Sequence, residues 1–413
     1  MDQARTFPTA PARTRIGVLI ACTMGNFVSI TPAVTVVLSL FLIPISREFD
    51  WPRARVTGVI ALLAIIAAIV VPIAGRLADR YGARRVILTG HVAFALSMLL
   101  LVFANGSVVQ FYLIFTVIGI AGAVPIQPLY SKVIAEWFDE HRALALAIAG
   151  GVGNAVGSIA MPVAAGLLLS QYGWRHAYAG VGVIVLAIGF PTMFTLLKDA
   201  GPRRAEETDA PILPGATFEE AVRSRLFWII LTALVLGAGS LTAIFTHIVP
   251  LLTDRGLPLA TATAVLSAAG VACAGWQILV GLILDRVRTA RVLVPMFVAG
   301  ICGLLLIQRA DSTIMLLAGG VLIGVGLGSE YGGLPYLLSR YFGLRAYGAI
   351  VGAVFGPLIL VQGIVPFLFD AGFDHFGSYH EATLAVALAL ATGASLLLAL
   401  PRYSVAEPAI VHT

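Results

Sequence analysis

Charge is what this chain has least of. Asp, Glu, Lys and Arg supply 11% of its 413 residues, apolar types supply 59%, and the mean hydropathy is +0.97. A soluble protein of this length needs far more polar surface, so a water-exposed globular fold is excluded. Cysteine is nearly absent: Cys22, Cys273 and Cys302 each fall inside an apolar run. So placed, they read as small buried apolar residues, which excludes a disulfide framework, and no metal-ligand spacing occurs. There is no Walker loop and no nucleophile elbow. That excludes a nucleotide-driven motor on the chain and leaves no catalytic constellation, so the reading is not an enzyme and needs no cofactor. Energy for any transport must then come from a gradient or from the substrate itself. The stretch before Ile16 is short and polar without a cleavable-signal pattern, and the first apolar run is too long for a signal segment.

What is present is apolar sequence in blocks long enough to cross a bilayer, which takes about 20 helical residues for a ~30 Å hydrocarbon core. Spans are predicted near 16–44, 56–75, 85–104, 108–132, 143–170 and 177–197, then near 226–252, 260–284, 291–309, 313–339, 346–369 and 382–400. Gly (43) and Pro (21) are frequent within them, as membrane helices tolerate and close helix packing favours. Of the 26 Lys and Arg, all but Arg47, Arg53, Arg55, Arg175, Arg255 and Arg309 fall on one side if both termini are cytoplasmic. The pI near 9.3 therefore reports topology and implies no nucleic-acid partner. Residues 199–224 are polar and proline-bearing, which divides the chain into bundles over 1–198 and 225–413 joined by a cytoplasmic linker. Residues 218–228 read as a short interfacial helix at its end.

One charged string occurs twice. Gly75-Arg-Leu-Ala-Asp79-Arg80-Tyr-Gly82-Ala-Arg84-Arg85 lies between two apolar runs, and Gly281-Leu-Ile-Leu-Asp285-Arg286 lies between two others, 206 positions later. A repeat at half length means two similar halves, and in a membrane chain that points to alternating-access transport. The glycines permit close helix contact; Asp79 and the arginines Arg80, Arg84 and Arg85 are expected to form ion pairs that hold one conformation and release in the other, with Arg142 part of the same latch.

These strings resemble the major facilitator superfamily over essentially the whole chain. The resemblance implies an all-α membrane protein of twelve transmembrane helices in two pseudo-symmetric six-helix bundles, monomeric, in a bacterial inner membrane. Phe49-Asp-Trp51 with Arg53, the segment from Trp137 to Arg142, and His247-Ile-Val-Pro250-Leu-Leu-Thr-Asp254-Arg-Gly256 are similar to the bacterial monocarboxylate and oxalate/formate porter branch. That would imply transport of small organic anions. The sequence departs from the branch at Gln277, where an arginine able to pair with a substrate carboxylate commonly stands.

Ionisable and polar groups at membrane depth are functional candidates. Glu330 is the sharpest, about ten residues, or ~15 Å, from Arg340. Proton coupling or substrate contact at this site competes with a structural carboxyl. Trp276 and Gln277 suit a ligand with an apolar or aromatic body and one polar group. Gln127 and Tyr130 sit at the internal-repeat counterpart of Glu330–Tyr331. Asn26 and Gln362 are further cavity candidates, and Asn154 reads as an interhelical hydrogen bonder. His247 is a second proton-coupling candidate, or a gate or cap beside Pro250. His91 reads as interfacial, and Lys132 as a snorkelling end residue. The expected activity is proton symport of a small organic acid, an aromatic one included; the alternative is proton-coupled export of apolar or drug-like compounds. The expected partners are a small-molecule substrate, protons and the lipid bilayer.

Overall fold

The computed structural model describes residues 11–139, 141–199, 215–287 and 289–401. The expected linker falls mostly on residues 200–214, outside the described residues. Described residues form helices throughout, apart from turns and one isolated bridge between Gly215 and Gly343.

Among the described residues, eleven helical segments are long and apolar enough to cross a membrane. One of them, Arg142–Leu196, has 55 residues. That is more than twice what a ~30 Å core requires, so it must cross twice. Gly173 marks the division, with φ 72° and ψ 168°, a conformation that glycine adopts without strain. Twelve spans result: α1 (Ala12–Phe49), α2 (Arg53–Tyr81), α3 (Ala83–Phe103), α4 (Val108–Trp137), α5 (142–172), α6 (174–196), α7 (Arg225–Thr246), α8 (Leu259–Arg286), α9 (Ala290–Arg309), α10 (Thr313–Phe342), α11 (Tyr347–Phe376) and α12 (His380–Leu398). A short helix, Phe218–Arg223, precedes α7 and carries a full capping box between Thr217 and Glu220.

Apolar residues also cover the outside. Val271, Ile314 and Phe367 are among the most exposed side chains, as expected where the solvent is lipid. Cys302 lies on this outer surface, unlike the buried Cys22. One buried apolar cluster is confined to α1–α6, whereas the other runs from Val18 to Leu400 and joins the two bundles.

Several spans are interrupted. α1 breaks at Val28–Ser29 and continues through a π-helical stretch, Thr31–Val36. α4 breaks over 123–126 and restarts at Gln127, ahead of Pro128. α5 contains a π-helical turn at Ile148–Val152, and α7 stops at His247 before a further short helix, Ile248–Thr253. Interrupted helices expose backbone polar groups, and in transporters they cluster around binding sites.

Candidate functional site

The two Gly-x-x-x-Asp strings clasp the bundles at one end of the molecule. Asp79, on α2, accepts the backbone N–H of Gly348 (3.1 Å) and of Ala349 (2.7 Å) at the start of α11. Asp285, on α8, accepts the backbone N–H of Ala143 (2.9 Å) and of Leu144 (3.1 Å) at the start of α5. Each carboxylate thus caps a helix of the opposite bundle, where unpaired N–H groups and the helix dipole favour an anion. The glycines make room for the approach: a Cβ on Gly75 would collide with the carbonyl of Gly348, and one on Gly281 would lie 2.8 Å from that of Ala143. The contact continues along α11, where Gly352 and Gly356 fit against Pro72 and Ala68 of α2.

The expected aspartate–arginine pairs are replaced by a lysine. Lys132, on α4, reaches Asp79 (2.9 Å) and Glu136 (2.5 Å) with its side chain only 7% exposed. It does not snorkel; two carboxylates hold it inside. Arg84 and Gly82 act within their own bundle: the Arg84 guanidinium donates to the Phe194 carbonyl (2.7 Å), its backbone N–H donates to Asp199 (2.9 Å), and Gly82 turns the chain with φ 89°. Arg80, Arg85 and Arg286 are exposed. Arg142 does bridge the bundles, being buried and donating to Ser339 on α10 (3.3 Å) and to Phe138 and Asp139 nearby. Arg340 returns the link to Asp139.

Further into the membrane, polar side chains from three helices converge on one glycine run of α5. A Cβ on Gly150 would meet the amide of Gln127 on α4. A Cβ on Gly151 would strike the side chain of Gln277 on α8, and one on Gly153 would meet Asn26 and the Thr23 carbonyl on α1. This run overlaps the π-helical turn of α5. Gln277 and Asn26 therefore both lie against the same segment, one from each bundle.

Beside Gln277 stand Cys273, 3.7 Å from its amide nitrogen, and Trp276. α10 packs on this part of α8 through Gly324 and Gly328, the latter against the Cys273 carbonyl. Two residues on comes Glu330, 2% exposed, with neither carboxylate oxygen hydrogen-bonded. Trp276 Nε1 and Asn26 Oδ1 are likewise buried without partners, although Asn26 donates to the Cys22 carbonyl (3.0 Å). Orphaned polar atoms at depth cost free energy, about 1–3 kcal/mol each for uncharged groups, which makes Glu330, Trp276 and Asn26 the candidates for ligand contact.

Not every candidate belongs to this cluster. Tyr130 is fully buried, its ring seated where Gly25 leaves space and its hydroxyl 3.4 Å from Met193 Sδ; it packs the first bundle. Gln362 is half-buried on α11. The Tyr331 side chain lies outside the described residues. Asn154 accepts from Ser158 in the next turn (3.4 Å), and His91 is buried against the Val185 carbonyl (3.0 Å). His247 is buried at the break in α7, with Nδ1 2.8 Å from the Ala243 carbonyl and Nε2 2.8 Å from Asp370 on α11. Its ring packs against Phe369, 4.7 Å between centroids. Sequence reasoning did not single out Gly150, Gly151, Gly153 and Cys273; the signal for the glycines was Gly150-Gly-Val-Gly153 inside a predicted span.

Two bundles of six membrane helices, joined by a repeated Gly-x-x-x-Asp contact, define the architecture of a secondary transporter. The profile of the Major Facilitator Superfamily matches residues 18–356, and the chain belongs to that family. Its relatives include an uncharacterized transporter of the same type from Bacillus subtilis, YcxA, 26% identical over 52% of this chain; the chain spans about half the length of that relative (52%). Human monocarboxylate transporter 11 is 25% identical over 79% of this chain and 67% of its own length. Among solved structures, the E. coli fucose:proton symporter FucP superposes with a TM-score of 0.67 at 17% identity, over 93% of this chain and 98% of that one. FucP in the outward conformation gives 0.70 at 18% identity, over 94% and 99%. These structural likenesses show the fold.

Proposed function

We propose that the chain carries a small organic acid across the bacterial inner membrane together with a proton, and that Glu330 takes up that proton. The observation that carries this reading is the buried Glu330 carboxyl with both oxygens unpartnered beside the Cys273–Trp276–Gln277 face of α8. No arginine stands at Gln277 to neutralise an anionic substrate, and Lys132 is already held by Asp79 and Glu136. A protonated Glu330 supplies what is missing: its O–H donates to the substrate carboxylate, so anion and proton enter the site as one neutral pair. Gln277 and Asn26 offer amide bonds from opposite bundles, and Trp276 offers an apolar plate and one N–H. Occupation would then draw the bundles together over the substrate. The kinship to a monocarboxylate transporter and the fold shared with a proton symporter support the reading.

The clasped end is read as cytoplasmic, since the arginine-rich loops lie there, and the structure as the state closed on that side. His247, at the opposite end and bonded to Asp370, is placed as a second proton-sensitive element at the external gate. Gln277 favours one alternative, export of an uncharged apolar compound. Proteoliposomes with an imposed inside-alkaline gradient separate the two. Accumulation of a labelled monocarboxylate above the leak of empty liposomes supports symport; proton flux elicited only by apolar compounds contradicts it.

A further inference from the structure

α5 and α8 meet at the clasped end and part beyond it. A Cβ on Gly281 would lie 2.8 Å from the Ala143 carbonyl, and about one turn outward Gln277 rests on Gly151. Two turns further out, on the same face of α8, comes Gly270, and a Cβ there would find no neighbour within 4 Å. Beyond Val152, α5 scarcely touches α8. The other seam between the bundles behaves differently. Gly270 stands 206 positions after Ala64, the spacing that also relates Gly281 to Gly75. Yet α2 and α11 are still together at this level, where a Cβ on Gly363 would sit 3.6 Å from the Ala64 Cβ. Ser158 lies 205 positions before Gly363, as Ala143 does before Gly348, and so borders the open counterpart of that contact.

The side chains along this gap are polar. Successive helix residues turn by about 100°, which sorts the faces of α5. Gly153 and Gly157 pack on the Thr23 and Phe27 carbonyls of α1, whereas Val156, Ile159, Val163 and Leu167 form an exposed apolar face. Asn154 and Ser158 lie on the remaining side, between the α1 contact and the line of Gly151 that faces α8. Ser158 donates to Asn154 Oδ1 (3.4 Å), and among the described residues nothing accepts from the two N–H groups of the Asn154 amide. This amide stands ~18 Å along α5 from Arg142, within the hydrocarbon depth. Idle donors at that depth are costly against lipid, so the gap they border holds water or ligand. On α8 the lipid side is carried by Val271, 75% exposed, about 100° round the helix from Gly270.

We propose that the outer parts of α5 and α8 form the mouth through which the substrate reaches Gln277, with Asn154 and Ser158 as hydrogen-bonding contacts on its wall. The inference rests on the reading of the Gln277 face as the substrate site. Asn154 offers donors, and Gln277 offers more of them two turns inward of Gly270, so the passing ligand is an acceptor such as a carboxylate. Neutral donors hold an anion less tightly than a guanidinium does, which suits a passage that must hand its ligand on. Entry is then one-sided: the mouth opens between α5 and α8 while the α2–α11 seam stays packed at the same level.

The test labels single cysteines from outside right-side-out vesicles with the anionic, impermeant reagent sulfonatoethyl methanethiosulfonate. The background is Cys273→Ala/Cys302→Ala, which keeps the buried Cys22. Ser158→Cys and Gly270→Cys should react at least about tenfold faster than Ala64→Cys and Val271→Cys, because the reacting thiolate forms in water and not in packed or lipid surroundings. Equal rates at Gly270→Cys and Val271→Cys, or no reaction at Ser158→Cys and Gly270→Cys, overturn the proposal. Reaction at Ala64→Cys as fast as at Gly270→Cys overturns the one-sided entry. Should Gly270→Cys fail to fold, Thr263→Cys takes its place, exposed and two turns further out on the same face. The contact itself is read in counterflow: Asn154→Leu should raise the half-saturating monocarboxylate concentration about tenfold and leave the maximal rate unchanged. An unchanged half-saturating concentration removes Asn154 from the wall. Labelling requires no substrate, so the mouth is tested apart from the transport reading. Fast labelling at both positions that no monocarboxylate slows supports the mouth and contradicts the monocarboxylate reading alone.

Discussion

Asp285 does for Leu144 what Asp79 does for Ala349: in each pair a carboxylate on one bundle accepts a backbone N–H from the first turn of a helix on the other, at 3.1 and 2.7 Å. The repeat in the sequence is therefore also a repeat of contact, although Asp79 additionally pairs with Lys132. Because the acceptors are ionised and the donors belong to helix N-termini, each bond is worth more than an ordinary hydrogen bond, about 1.5–3 kcal/mol.

Asp285→Asn should weaken the clasp without unfolding the protein, since a neutral amide still fits but loses the charge. The closed population, read by a spin-label distance between positions 13 and 291 on opposite bundles, is expected to fall several-fold, and Asp79→Asn/Asp285→Asn to fall further. An unaltered distance distribution in the double variant would remove the clasps from the account.

Gly75→Val tests the close approach. The added Cβ meets the Gly348 carbonyl, which is backbone and has nowhere to go. Overpacking of this kind costs about 1–3 kcal/mol, and here the cost falls on the closed state alone. The expected result is a protein that purifies with normal helicity yet is trapped with that end open, and whose transport is lost. Normal closure would show that the helices do not meet as described.

Lys132 stands between Asp79 and Glu136. Lys132→Met leaves two carboxylates facing each other in a buried site, a change of about 3–5 kcal/mol when one partner of a buried pair is removed. Expression and thermal stability should drop sharply. Adding Glu136→Gln removes one of the two stranded charges and should recover part of the loss. If the double variant is no better than the single one, the three groups do not act together.

Gly151→Leu addresses the convergence on α5. The new side chain would occupy the place of Gln277 and push α5 from α8 in the region of the polar cluster. Substrate affinity is expected to fall at least about tenfold, the effect of roughly 1.4 kcal/mol. The Asp285 clasp, a few turns away, should remain closed. Unchanged affinity would take the glycine run out of the site.

The fold was legible because a bilayer writes its thickness into the chain as apolar runs, and the division between α5 and α6 fell where Gly173 bends the backbone. The clasps were half legible. Gly75 and Asp79 announced themselves, but their partners are backbone amides of Gly348 and Ala349, which carry no side-chain signature. Lys132 looked like a surface lysine because its position along the span was readable and its neighbour Asp79, distant in sequence, was not. Tyr130 looked like a cavity residue because the repeat aligned it with Glu330–Tyr331. Whether a tyrosine lines a cavity or fills a notch depends on the facing residue, here Gly25 on another helix. The clustering of Asn26, Gln127 and Gln277 around Gly150–Gly153 is likewise a property of three-dimensional packing, visible only once the helices are laid side by side.

The most direct test of the central claim is transport by Glu330→Gln in proteoliposomes, measured in two modes with the same labelled monocarboxylate. Gradient-driven accumulation needs the proton carrier, whereas counterflow needs only substrate binding and alternation. The account predicts that accumulation falls to the level of empty liposomes while counterflow persists. Accumulation that survives the substitution would contradict it and place the proton elsewhere.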